Sequence, residues 1–255
     1  MPIKTKSIEA VEDIGKFVSY LGEIFRQSVS TPFRWRELVT QLEFVGHQSL
    51  NIILLTAFFT GAVFALQIGG IFAIFRAEGM MGGATGKALA TELAPLVTGF
   101  LITGRVGSAM TSELATMKVN EQIDAMEAMG VDPIDYLVVP RVLACVLMIP
   151  LLCGIFMFLG VVGAWATGTL LFNVDQGVFM EKLRDLVEIP DVWLGLRKSF
   201  FFAFIIGAVA CRYGLIATGG AKGVGIATTV GVANTLLMLL SADFFISYIQ
   251  VRWLG

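Results

Sequence analysis

Four ionisable residues stand inside apolar stretches of this chain: Glu92, Arg105, Lys198 and Asp243. Charged groups are costly in hydrocarbon, so such residues mark either a functional pathway or an ion-pair network that fixes helix register. Glu92 precedes Pro95 by three residues, and Arg105 follows about three and a half helical turns later. Lys198 is expected to open a later apolar stretch, and Asp243 to lie in the corresponding half of the last one. Glu92, Lys198 and Asp243 are therefore expected at one depth, as a buried polar cluster facing a cavity, with Lys198 neutralising an acid. The alternative is a network that only sets packing. Arg105 is expected to hydrogen-bond backbone or a nearby acid such as Glu113, within a packing patch with Gly104, Gly107 and Ser108.

Other chemistry is weakly signalled. The run Gly82–Ala88 faintly resembles a phosphate-binding P-loop, but Met81 stands at the first glycine position and Ala88 at the final Ser/Thr position. No catalytic residue and no ATPase site are expected on this chain. Ser108 beside Gly107 would need His47, the only histidine, as its base. Cys145, Cys153 and Cys211 read as isolated thiols, without a disulfide or metal pattern.

The chain is 56% hydrophobic and 15% charged, against about 25% charged in soluble domains. The apolar excess falls in long runs, which predicts an all-α polytopic membrane protein. Spans need roughly 20 apolar residues. Five are predicted, at about 49–75, 88–110, 142–172, 199–217 and 226–249. The third could instead split near Gly160–Gly163 into two re-entrant pieces. Residues 1–47 form a separate N-terminal segment, and 48–255 the membrane domain. No removable signal peptide is expected. A net charge of −2 gives no support for nucleic acid.

Lys4, Lys6, Lys16, Arg26, Arg34 and Arg36 precede the first span and predict a cytoplasmic N-terminus. Five spans then put the C-terminus outside. Lys118, Arg141, Arg212 and Lys222 fall in cytoplasmic loops. Lys182, Arg184, Arg197 and Lys198 fall in an outer loop, against the bias. Ile8, Val11, Ile14, Val18, Leu21 and Phe25 recur at helical spacing, with Phe33 and Trp35 beyond. This predicts a helix lying in the membrane interface or one packing on the protein's own loops.

Small residues Ala57, Gly61, Ala65 and Gly69 sit four apart in the first span, which permits close helix approach within one subunit or between two. Gly154, Gly160, Gly163 and Gly168 offer the same in the third. Between spans two and three, the segment Asn120–Met129 reads as an amphipathic helix. Ile123, Met126 and Met129 fall on one side, and Glu121, Asp124 and Glu127 on the other. Asn120 is a plausible N-cap, and Gly130 with Pro133 stops the helix. Its acidic face suits a basic or polar protein groove better than anionic lipid. An ordinary solvated loop helix is the alternative.

The stretch ELAP…GRVGSAMTSELATMKVNEQIDAMEAMGVDP, from Glu92 to Pro133, resembles the signature of the MlaE/YrbE permease family. These are membrane subunits of MCE-type ABC transporters that move phospholipids and related lipids between bacterial membranes. The resemblance implies a homodimer in the bacterial inner membrane. It also implies a coupling helix (Glu121, Gln122, Ile123, Asp124, Met126, Glu127, Met129) docked on a separate ATPase that binds ATP and Mg. An MCE-domain protein would sit over an outward-open lipid cavity lined by spans one and five and half of span two, and a STAS-domain accessory protein could join. Glu92, Lys198 and Asp243 match the family's buried polar positions. Phe64, Leu66, Ile68 and Phe72 are candidates to touch acyl chains. Thr91 departs from members that carry arginine before the cavity acid, which leaves headgroup specificity open. The rival from another class is an ion-coupled transporter or channel using Glu92 and Asp243. It predicts repeats with interrupted helices, and no repeat is evident.

Overall fold

The computed structural model describes residues 2–30 and 34–253, with side chains for Glu12, 15–28, 34–250 and Arg252. The predicted positions Lys4, Lys6, Ile8, Val11, Ile14 and Phe33 lie outside the described side chains. Every regular element among the described residues is helical. That is what an apolar solvent requires, because a helix satisfies its backbone hydrogen bonds within itself.

Helix α1 (Pro2–Ser30) is followed by α2 (Trp35–Leu42), which runs through a π-turn into α3 (Gln48–Ile74). The next rod is interrupted twice: α4 (Met81–Ala88), a π-turn at Leu89–Leu93, α5 (Ala94–Ile102), a π-turn at Thr103–Gly107, and α6 (Ser108–Val119). The short α7 (Gln122–Ala128) caps a hairpin that returns through α8 (Val139–Leu171). Then come α9 (Gln176–Leu186), α10 (Ile189–Leu215) and α11 (Gly220–Trp253). Five of these helical rods are long and apolar enough to cross a membrane: Trp35–Ile74, Glu78–Val119, Ile134–Leu171, Ile189–Leu215 and Gly220–Gln250.

Burial sorts the spans. The most apolar window of α10 is 67% buried, against 28% in the first span and 22% in the last. So α10 is the central post, and α3 and α11 are peripheral, both packed on α5. The third span is one continuous helix with Pro150 inside it, so it is not split into re-entrant pieces. A β-carbon on Gly61 would run into the backbone of Gly160, and one on Gly163 into the carbonyl of Phe58. The stripe Ala57, Gly61, Ala65 and Gly69 is buried, and it is used for α3–α8 packing within one chain. Gly104 is exposed with open space beside it, so the predicted patch in span two reduces to Gly107 against Ile206 and Ala210. The glycines of the P-loop-like run pack α4 on α9: Gly82 faces Phe179, Gly83 faces Lys182, and Gly86 faces Leu183.

The sequence expectations about charge are corrected: Lys118 lies in α6, Arg212 in α10 and Lys222 in α11, within helical rods and not in loops. Helix α10 begins ten residues before the expected start, nucleated by a capping box between Glu188 and Asp191 with Pro190 in the first turn. Arg197 and Lys198 therefore belong to the span and not to a loop. Arg141 likewise lies within α8 and is buried.

Helix α1 packs on the bundle through Tyr20, Ile24 and Gln27, spaced as one helical face. Tyr20 Oη donates to the Ala208 carbonyl at 3.2 Å. Of the predicted stripe, Leu21 packs against the same cluster as Tyr20 and Ile24, whereas Val18 and Phe25 are 61% and 72% exposed. One face thus holds the protein, and a second apolar face is left open.

Candidate functional site

Lys198 stands about 13 Å along α10, nine residues after Ile189. Its side chain is fully buried, with Nζ 2.6 Å from Glu92 Oε2 and 3.2 Å from Asp243 Oδ1. It also donates to Ser247 Oγ at 2.7 Å, and Ser247 donates to Glu92 Oε1 at 3.1 Å. Three spans are tied at one point, by α10, α11 and the π-turn before α5. A buried ammonium is tolerable only when its charge is matched and its donors are used, and here three oxygens surround it. The sequence reading placed Glu92, Lys198 and Asp243 together but missed Ser247. The available signal was its spacing of four from Asp243, which puts both on one face of α11.

The backbone explains how Glu92 is presented. Pro95 has no N–H, so the carbonyl four residues earlier, on Thr91, loses its helical donor. The chain widens into the π-turn Leu89–Leu93 at that point. The two ionisable residues in the apolar middle of span two sit in such turns, Glu92 in the first and Arg105 in the second. Short π-segments recur at functional positions because they re-aim side chains. Glu92 remains 44% exposed, whereas Asp243 is 16% exposed.

Leu93, the next residue, forms one wall of an open groove of about 470 Å³. The other wall is α3: Leu55, Thr56, Phe59, Thr60, Val63, Phe64 and Gln67. Of the four predicted apolar contacts, Phe64 lines this groove. Leu66 is exposed elsewhere on α3. Ile68 and Phe72 pack against the cluster of Met81, Val174 and Phe179, which removes them from the groove. Thr56, Thr60 and Gln67 add a polar track the sequence reading did not identify.

At the other end of the bundle, Arg105 donates to the Phe44 carbonyl at 3.2 Å and to Gln48 at 3.1 Å, and it also contacts Ser49. Glu113 is not its partner. Glu113 pairs instead with Arg141 at 3.0 Å. Ser108 donates to carbonyls of its own helix, as helix-interior serines do.

Helix α7 hangs beside this end. Asn120 closes α6 and does not cap α7; the residue before α7 is Glu121, in a left-handed conformation with φ 60°. Ile123 is buried and Met126 half-buried, in a cluster with Tyr20, Ile24, Leu114 and Val138. Met129 is 72% exposed, so it does not share that buried face. Gly130, at φ 78°, ends the helix, and the Val131 N–H closes back on the Met126 carbonyl. Glu121, Gln122, Asp124 and Glu127 face outward, with Asp124 paired to Lys118. The hairpin is also fastened to the N-terminal segment. Gln27 donates to Asp132 at 2.6 Å, and Arg34 lies 3.2 Å from Asp135 and stacks over Tyr136.

Comparison with known proteins decides the family. The sequence model described as Permease MlaE matches residues 38–249. The chain belongs to the MlaE permease family. A protein of Synechocystis described as a "probable ABC transporter permease protein" is 39% identical, over 92% of this chain and 89% of its own. One from Pyropia yezoensis, described in the same words, is 37% identical over 97% and 95%. The chloroplast protein TRIGALACTOSYLDIACYLGLYCEROL 1 of Arabidopsis thaliana is 34% identical over 89% of this chain and 65% of its own. The MlaE-family chain is therefore a multi-pass ABC transporter permease subunit, the class that works with a partner ATPase.

Proposed function

We propose that the permease moves a phospholipid or related lipid, with α7 as the helix that receives force from the ATPase. The observation that carries this reading is a half-exposed carboxylate, Glu92, on the same π-turn as Leu93, the residue that walls an open apolar groove. An amphiphile needs both parts, an apolar wall for its chains and a polar point for its head. The name of the Arabidopsis relative, which is that of a glycerolipid, supports lipid over other cargo.

The remaining assignments rest on this reading and on the family resemblance. The permease works as a homodimer in the bacterial inner membrane, with α1 and α7 on the cytoplasmic side. The peripheral spans α3 and α11 face the central cavity together with α5. An MCE-domain protein receives or supplies lipid over the cluster, and a STAS-domain protein is a further accessory. The nucleotide and Mg sit on the ATPase.

The test is copurification. Glu121→Lys combined with Asp124→Lys inverts the outward face of α7 without touching Ile123. The variant should fold and insert but lose the ATPase and ATP-driven lipid transfer. Normal copurification and transfer would refute the assignment of α7.

A further inference from the structure

We infer that the groove selects a headgroup that donates hydrogen bonds and carries no excess negative charge, such as a hydroxyl-rich neutral or an ammonium-bearing zwitterionic head. This rests on the lipid reading above and narrows it. Lys198 is the cluster's only cation, and none of its surface is accessible. Its ammonium is already engaged by Glu92, Asp243 and Ser247. Two carboxylates thus face one ammonium, and the exposed charge at the cluster is the Glu92 carboxylate. Thr91, beside it, is neutral and donates to the Lys87 carbonyl at 2.9 Å. The groove walls add Thr56, Thr60 and Gln67, and no residue lining it is cationic.

Nearby cations do not alter this balance. Lys87 is held by Asp191 at 3.2 Å. Arg197 is exposed about 100° around α10 from Lys198, and, like Glu92 itself, neither it nor Arg76 nor Arg252 is among the residues lining the groove. An anionic phosphate head seated past Leu93, beside the exposed Glu92 carboxylate, would meet no counter-charge among the residues lining the groove, in a low-dielectric setting where like charges repel strongly. Hydroxyl or ammonium donors would instead find a ready acceptor.

The experiment exchanges the purified permease complex with an equimolar mixture of synthetic dioleoyl lipids and reads retained lipid by native mass spectrometry. The four heads are a neutral monoglucosyl diacylglycerol, phosphatidylethanolamine, phosphatidylglycerol and phosphatidic acid. The first two should be retained about tenfold over the last two, a difference one lost charge contact can produce. Glu92→Gln and, separately, Thr91→Arg should each narrow that gap to about twofold. Equal retention of all four, enrichment of the anionic lipids, or a gap unchanged in both variants would overturn the inference while leaving lipid binding intact. No retention of any of the four lipids would instead defeat the lipid reading on which it rests.

Discussion

Arg141 and Glu113 meet at 3.0 Å across the base of the hairpin that carries α7. Arg141 is buried and also donates to the Leu137 carbonyl at 2.7 Å, whereas Glu113 is 54% exposed. The pair joins the end of span two to the start of span three, so the hairpin leaves the bundle as one closed unit. The asymmetry in burial predicts an asymmetry in cost. Glu113→Ala strands a buried guanidinium and should destabilise by about 1–3 kcal/mol. Arg141→Met leaves only a solvated carboxylate and should cost about 1 kcal/mol or less. Thermal unfolding in detergent checks the order; a larger loss for Arg141→Met would contradict it.

The Lys198 cluster makes a second prediction. Lys198→Met leaves Glu92 and Asp243 facing each other without their cation. The cost should be about 3 kcal/mol, the low end for a broken buried pair because Glu92 is half exposed. Adding Glu92→Gln and Asp243→Asn should recover most of that stability but not transport. Unfolding temperature and lipid transfer, measured on the same preparations, separate the two outcomes. Recovery of both would reduce the cluster to a packing device.

Close helix approach gives a third. At Gly61 the obstacle to a side chain is the backbone of Gly160, which cannot swing aside. Gly61→Val should therefore cost several kcal/mol or prevent insertion. Gly104→Val, in open space on span two, should change stability little. Yield and unfolding temperature distinguish the two sites.

The ties from the N-terminal segment to the hairpin give a fourth. Gln27→Leu removes the bond to Asp132 and should cost about 1 kcal/mol. Arg34→Leu removes a half-exposed pair worth less. Together they should speed amide exchange across α7 while leaving α10 protected. Unchanged exchange in α7 would show that the N-terminal segment does not hold the hairpin.

How much of this was legible beforehand varied with the range of the interaction. Apolar runs and Gly130 announce spans and a helix end locally, and those readings match the fold. Lys198 stands at the edge of its apolar run, so the sequence groups it with Glu92 and Asp243 but does not show how deep it lies, because those acids are one hundred and six and forty-five positions away. Only tertiary contact makes a buried lysine tolerable there. The π-turns at Glu92 and Arg105 were invisible to a pattern built on a regular helical period. Ile68 and Phe72 differ from Phe64 only in what packs on them, which composition does not encode. Asn120 has the chemistry of an N-cap, but the left-handed Glu121 intervenes and gives that residue to the preceding helix.

The central claim is that a lipid occupies the groove between α3 and Leu93 and leaves it when the ATPase acts. A photoreactive residue at Gln67, in the ATPase-bound permease reconstituted in lipid, tests this most directly. Illumination should give lipid adducts well above those from Leu147 and Leu151, which are exposed on α8 away from the groove. The adducts at Gln67 should fall when the ATPase is trapped with nucleotide. Equal labelling at all three positions, or labelling at Gln67 that ignores nucleotide, would contradict the account.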